Sequence, residues 1–346
     1  MTTIRDVARH AGVSTATVSH VLNGTRTVLP ETRALVMAAI EQLNYRPSAL
    51  ARSLTTNTTK TVGVVIADVL SPFFSFLLRD IEDLLSVQGY NLIVCNTYEL
   101  PDREAYNLEM LLERRVDGVI LTPTGVEQPI YEQFNALNIP LVFVDRNPPK
   151  QRGGFVGTDN FKAAYEATRY LLALGHQRIA LVSLIPETSA VSARINGYTS
   201  ALEEAGIAAD PALIRASNFE IESACAITKS FFELDEPPTA LIAGSHTATL
   251  GALKALSELE LRYPDDISLV CFDNSPWTGV IRPALTVSTK PIAELARAAV
   301  AALLSSMNEI EKHRRRHEPP PPLPLMSRLL GAQLVVRDSC SAVVTV

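Results

Sequence analysis

Apolar positions recur with a helical period at the start of this chain and give way, past residue 60, to short continuous apolar runs. Ile4, Val7, Ala8 and Ala11 fall at i, i+3, i+4 and i+7, one stripe of a helix that Thr3 can cap and Gly12 ends. Ser14 caps a second helix, Thr15 to about Leu22, with Val18, Val21 and Leu22 inward and Thr15, Ala16, Ser19 and His20 outward. A third runs from Glu31 to about Leu43 on Leu35, Val36, Ala39, Ile40 and Leu43, with Pro30 in its first turn and Asn44 closing it. Two short helices joined by a tight Gly-containing turn, with small polar residues opening the second, predict a helix-turn-helix that reads the DNA major groove. Ser48 to Leu54 follows as a single capped turn with an apolar surface of Ala49, Leu50, Ala51 and Leu54. Seven residues do not hold a helix alone, so it is expected to fold only when two copies pair on DNA. Thr55 to Thr59 is a polar linker.

Beyond it the strand candidates are Val62–Ile66, Asn91–Cys95, Gly118–Leu121, Leu141–Val144, Ile179–Ser183, Ala240–Ala243 and Leu269–Phe272. Helical patterns lie between them at about 74–88, 103–114, 162–174, 193–205, 223–233, 246–259 and 291–308. Continuously apolar strands alternating with helices predict parallel α/β sheets covered on both faces, and seven of them suit two subdomains better than one.

The net charge of −6 argues against nucleic acid until it is divided by position. Residues 1–60 carry seven Arg or Lys against three acids, so a basic head sits on an acidic body and phosphate attraction is confined to one end. Cys95, Cys225, Cys271 and Cys340 are far apart with no CxxC spacing, which points to neither a zinc site nor a disulfide framework. No signal peptide and no long apolar run is present, so a cytoplasmic, nucleoid-associated protein with no membrane partner is expected. His313-Arg-Arg-Arg-His317, followed by Glu318 and Pro319–Pro322, is a basic run that suggests either nucleic acid or, preferred here, a solvated loop stiffened by polyproline before the last strand.

The run DVARHAGVSTATVSHVLNGTR, the segment YRPSALARSL and LVVRDSC near the C-terminus together resemble the lactose/galactose-repressor (LacI/GalR) family, with a purine-repressor-like headpiece marked by His20. The resemblance covers essentially the whole chain. It implies an all-α helix-turn-helix headpiece at residues 1–46, a hinge helix and linker at 47–60, and an α/β two-lobed, periplasmic-binding-protein-like (type I) core at 61–346. That core would bind effector and dimerise, with crossovers near 157–162, 286–291 and 323–335 and the basic run in the C-terminal lobe. Thr15, Ala16 and His20 then match base readers, and Thr17, Ser19, Asn23 and Arg26 mainly position the helix on the phosphates. In the hinge, Ser48 caps, Ala51 lies on the apolar surface, and Leu54 matches a wedge that enters the minor groove and kinks the duplex. Two departures stand out. Leu29 replaces the usual Ser cap of the third helix, either leaving the cap missing or acting as a hydrophobic staple. Thr55 stands where relatives often carry a basic residue.

Ligands of two-lobed α/β folds sit at the carboxyl ends of strands, between the lobes. Phe73 and Phe74 follow the first strand and Asp145 and Arg146 the fourth, so local pattern places them there. By resemblance Arg194 in ARINGY, Phe219 in NFEIES and Asp273 in CFDNSPW match cleft positions, with Trp277 nearby. Aromatic faces beside Asp and Arg suit a sugar, nucleoside or purine-like ring. Ser245-His246 replaces the family's usual Asn-Asp, which weakens a sugar assignment and fits a smaller, less hydroxylated ligand or none. No cofactor or metal is expected.

The function expected is a homodimeric transcriptional regulator, acting on palindromic operators and controlled by a small-molecule effector in inducer or co-repressor mode. Only eight residues follow Asp338, too few for a C-terminal heptad segment, so a dimer rather than a tetramer is expected. A small-molecule carrier without regulatory DNA binding would account for residues 61–346 but leaves the head idle. An enzyme on this scaffold finds no GxSxG, Walker loop or metal-ligand cluster, His246 near Asp273 being its only hint.

Overall fold

A computed structural model of the chain describes residues 2–23, 26–45, 58–150, 153–184, 188–319 and 326–343, with Asn23 described by its backbone alone. The chain divides into two compact units, Met1–Thr59 and Lys60–Val346.

The first unit holds α1 (Ile4–Ala11), α2 (Thr15–Asn23) and α3 (Pro30–Gln42). Asp6 turns back to accept from the backbone N–H and the hydroxyl of Thr3, and Gly12 ends α1 at φ 66°. Val7, Ala8, Val18, Val21, Val36 and Ala39 form a small buried core, with Ile4, Ala11, Leu22, Ile40 and Leu43 packed at its margin. Leu35, expected on the buried face, is 58% exposed, because α3 turns only the Val36–Ala39 stripe toward α1 and α2. Leu29 stands at the N-cap of α3 without a side-chain hydrogen bond and is 73% exposed, so it neither caps nor staples. Asn44 closes the helix with a left-handed φ of 45°.

The second unit contains two sheets. The first has the order β11-β5-β4-β3-β1-β2, all parallel: β1 (Thr61–Ile66), β2 (Asn91–Asn96), β3 (Gly118–Leu121), β4 (Leu141–Val144), β5 (Gly154–Thr158) and β11 (Ser327–Leu330). The second has the order β12-β10-β9-β8-β6-β7: β6 (Ile179–Ser183), β7 (Ile214–Ala216), β8 (Ala240–Ala243), β9 (Ser268–Phe272), β10 (Thr286–Thr289) and an antiparallel edge, β12 (Gln333–Val335). α4 (Pro72–Val87), α5 (Pro101–Glu113) and α6 (Ile130–Ala136) cover the first sheet. α7 (Asn160–Ala173), α8 (Ser189–Glu204), α9 (Ile221–Phe231) and α10 (His246–Glu258) cover the second. Alternation survives inside wholly buried strands: Val142 and Val144 enter one core of the first lobe, Leu141 and Phe143 the other.

All seven predicted strands are present. The five that were not predicted lack an apolar run. β5 (GFVGT) and β10 (TVST) are mostly Gly and hydroxyl residues, and β7, β11 and β12 are three or four residues long with exposed or half-buried side chains apart from Leu330. The chain passes between the sheets after β5, after β10 and between β11 and β12.

The basic run corrects an expectation twice. His313–Arg316 is the last turn of α11 (Ile292–Arg316), with His317 at φ 57° as its cap, and is not a loop. Its helix belongs to the first lobe: Leu295, Ala299 and Leu303 pack with Val62, Ile120 and Leu77. Glu311 pairs with Arg314 at 3.1 Å and Arg315 at 2.9 Å, so i,i+3 and i,i+4 charge pairing sustains the helix through residues that read as loop. Pro320–Leu325 lie outside the described residues.

Candidate functional site

Two sites assemble. In the head, Ser14 accepts from the backbone N–H of Thr17 at 3.1 Å and lies 2.9 Å from its hydroxyl, which opens α2 and commits Thr17 to the cap. Thr15, Ala16 and Arg26 are exposed; Ser19 and His20 are half-buried on the same helix. Burial of Val18 and Val21 leaves these residues at the surface, as the helical period requires. The side chain of Asn23, and Ser48, Ala51 and Leu54 with the whole predicted hinge helix, lie outside the described residues.

In the second unit the site is a cleft between the two lobes, built on strand ends. Asp145 follows β4 and Asp273 follows β9, both in left-handed backbone at φ 68° and 74°, which ordinary residues rarely adopt. Between these carboxylates lies Lys290, just past β10: its Nζ is 3.0 Å from Asp145 and 3.5 Å from Asp273, and 3.9 Å from the centre of the Phe73 ring. Phe73 opens α4 behind Pro72 and meets Phe74 edge-on at 4.9 Å. Phe73 lines the cleft, whereas Phe74 does not and belongs to the core beneath it.

Arg194 is buried on α8, donating Nε–H to Asn160 at 2.9 Å and Nη1–H to the Gly244 carbonyl at 2.5 Å, with its guanidinium 4.8 Å from the centre of the Phe272 ring. Gly197, one turn on, lets this happen: a Cβ there would sit 2.1 Å from the Phe161 carbonyl oxygen of α7, so only glycine admits so close a helix contact. Arg146 is committed elsewhere, its fork held by Glu99, both buried. Ser245 spends its hydroxyl on the N-cap of α10, accepting from Ala248 N–H at 3.0 Å. His246 lies 3.4 Å from the Ser275 hydroxyl and 6.1 Å from the Trp277 ring, and Phe219 is half-buried on the turn before α9.

Electrostatics follow from this packing. Burial alone would raise the Asp145 carboxyl, but Lys290, Arg146 and Arg194 hold it below the ordinary carboxylate value. Burial pulls Arg194 down against the opposing pull of Asp273 and Asp145, and lowers His246 in the same way. Around the cleft, Asn96, Thr122 and Thr158 stand at the carboxyl ends of β2, β3 and β5 with buried side-chain atoms that have no hydrogen-bond partner among the described residues. Asp273 Oδ1 is likewise without a hydrogen bond. These groups can meet a polar ligand.

Sequence reasoning missed Lys290, Glu99 and Asn160. Lys290 was hidden because β10 carries no apolar run, so nothing marked residue 290 as a strand end. Among the described residues no group of three or more His, Cys, Asp or Glu is placed to hold a metal ion, and no helix is long and apolar enough to cross a membrane.

Comparison with known proteins agrees with this architecture. Residues 3–48 match the family described as bacterial regulatory proteins, lacI family, and residues 59–325 match periplasmic binding proteins and sugar binding domain of LacI family. The HTH-type transcriptional repressor PurR of Vibrio atlanticus is 37% identical over 319 residues, covering 92% of this chain and 96% of that one. The lac repressor dimer bound to operator and the anti-inducer ONPF superposes with a TM-score of 0.83 at 26% identity, covering 99% of each chain. A LacI family regulator from Enterococcus faecium with bound ribose superposes at 0.71 with 30% identity, over 82% of this chain and 99% of that one. A helix-turn-helix head followed by a two-lobed α/β binding unit, matched across both parts, makes this chain a member of the LacI family, a DNA-binding transcriptional regulator with an effector-binding domain and not an enzyme.

Proposed function

We propose that this protein is a cytoplasmic, nucleoid-associated repressor that acts as a homodimer on a near-palindromic operator and answers to a small molecule held between its lobes. Residues 1–46 form the reading head, 47–60 the hinge, and 61–346 the effector and dimerisation unit. Thr15, Ala16 and His20 read base edges, while Thr17, Ser19, Asn23 and Arg26 seat α2 on the phosphates. Ser48, Ala51 and Leu54 serve the hinge, with Leu54 as the minor-groove wedge. In the cleft, Phe73, Asp145, Arg194 and Asp273 contact the effector; Phe74, Ser245 and Phe219 support or border it. A sugar, nucleoside or purine-like compound fits an aromatic face flanked by carboxylates and a guanidinium.

The observation that carries this reading is the placement of Asp145 and Asp273, one from each lobe, on the same ammonium. Any ligand that engages both carboxylates biases the angle between the lobes. That angle sets the spacing of two hinges in a dimer, and only the ligand's differential affinity for the two arrangements shifts DNA binding. The test is to select an operator from random palindromic DNA, then titrate ligands into the complex of wild type and of Arg194→Ala. A compound that changes operator occupancy by about tenfold or more in wild type, and not in the variant, supports the reading. Identical responses in the two proteins remove Arg194 from the effector site.

A further inference from the structure

The cleft already holds a cation. The Lys290 side chain is 7% exposed and its ammonium rests on the Phe73 ring face, 3.0 Å from Asp145 and 3.5 Å from Asp273. An aromatic face with two carboxylates is an ammonium receptor: the ring quadrupole attracts the charge, and ionised carboxylates only accept hydrogen bonds. The cavity bounded by Phe73, Phe76, Asp273 and Lys290 measures about 20 Å³, enough for a single water. A ring-sized ligand reaches the Phe73 face only by moving Lys290 aside.

Displacement has a chemical consequence. Asp145 is buried; Arg146 lies 3.8 Å from it but gives its fork to Glu99, which leaves Lys290, at 3.0 Å, as the nearest cation to Asp145. Arg194 is taken by Asn160 and the Gly244 carbonyl. A neutral ligand that evicts Lys290 would leave two carboxylates without their shared counter-ion, a costly state in a buried site. A ligand bringing its own ammonium exchanges like for like. We infer that Lys290 is a tethered stand-in for the effector, and that the effector carries a primary ammonium, as an amino sugar or similar aliphatic amine does, seated on Phe73 between Asp145 and Asp273. This deepens the reading of the cleft as the effector site and rests on it. Lys290 then sets both specificity, by demanding a cation in exchange, and threshold, by competing from within the chain.

Chemical rescue tests this. Lys290→Ala removes the atoms beyond Cβ, which n-propylammonium reproduces; Lys290→Ser serves if the alanine variant does not fold. Thermal melting is followed with n-propylammonium chloride, with n-propanol and with sodium chloride at equal concentrations, in variant and wild type. The expected result is a rise in melting temperature for the variant with the amine alone and a much smaller one for wild type. Equal effects of amine and alcohol, or of amine and salt, overturn the ammonium site. Operator binding measured on the same samples separates the two readings. Retained operator binding without rescue sinks the ammonium site and leaves the regulator standing. Rescue with operator occupancy that follows the amine supports the proposal, whereas rescue with unmoved occupancy overturns the amine as effector.

Discussion

At the scale of single residues, the cleft shows how one side chain changes the role of its neighbours. Asp145 was legible from its place after an apolar strand, but its partner was not. Lys290 supplies the counter-ion that lets the Asp145 carboxylate stay charged while enclosed. Because its folded value lies below the ordinary 3.8, this stabilisation is complete above that value and is lost as the pH falls through the lower folded value. Asp145→Asn therefore leaves Lys290 short of a partner and is expected to cost about 3–5 kcal/mol near neutrality. Melting curves from neutral to strongly acid solution check this: the gap between variant and wild type narrows in acid. A gap independent of pH would show that packing rather than charge is lost. Arg146 and Ser245 teach the reverse lesson. Local pattern placed Arg146 at the cleft and the resemblance placed Ser245 there, yet Glu99 holds the fork of the first and the second caps α10.

At the scale of elements, local signals were read well where capping chemistry or an uninterrupted apolar run announces them. Thr3, Gly12 and Ser14 behave as their side chains dictate, and Asn44 takes the left-handed turn after α3. The exception is Leu29, which holds the N-cap with extended backbone, φ −52° and ψ 140°, yet offers no acceptor. Leu29→Ser is expected to stabilise the head by about 1 kcal/mol, because a hydroxyl there can accept an orphan N–H of α3 without disturbing any packed atom. Calorimetry of the whole chain should show the head's transition rise by about 4–8 °C, with that of the two-lobed unit unchanged. No shift would mean that the first turn of α3 already finds its acceptors elsewhere. α11 marks where local reading fails: its basic last turn has the composition of a loop, and only the pairing of Glu311 with Arg314 and Arg315, three and four positions on, reveals what extends it.

At the scale of the whole molecule, a basic head on an acidic body concentrates attraction for DNA at one end, and the cleft lies in the other unit. In the proposed reading the hinge, residues 47–60, joins the two units along the chain. Leu54→Ala is expected to weaken specific operator binding at least about tenfold while leaving binding to random-sequence DNA nearly intact, since phosphate contacts are untouched. Competition titrations against both DNAs at one salt concentration measure it. Equal losses on the two would place Leu54 in phosphate-dependent binding instead, and no loss would remove the wedge.

The change of apolar period near residue 60, the three head helices and the seven apolar strands were determined by the sequence alone. Each depends on residues a few positions apart, and a strand buried on both faces is apolar throughout. The tertiary structure alone decided which lobe α11 covers, which strand ends face one another, and that Lys290 stands between Asp145 and Asp273. Asp145 and Lys290 are 145 positions apart, and they meet because the chain crosses between the lobes immediately after β10. A contact made by crossovers leaves no mark in local periodicity, and a buried ion pair is written in two residue types that are also common on surfaces.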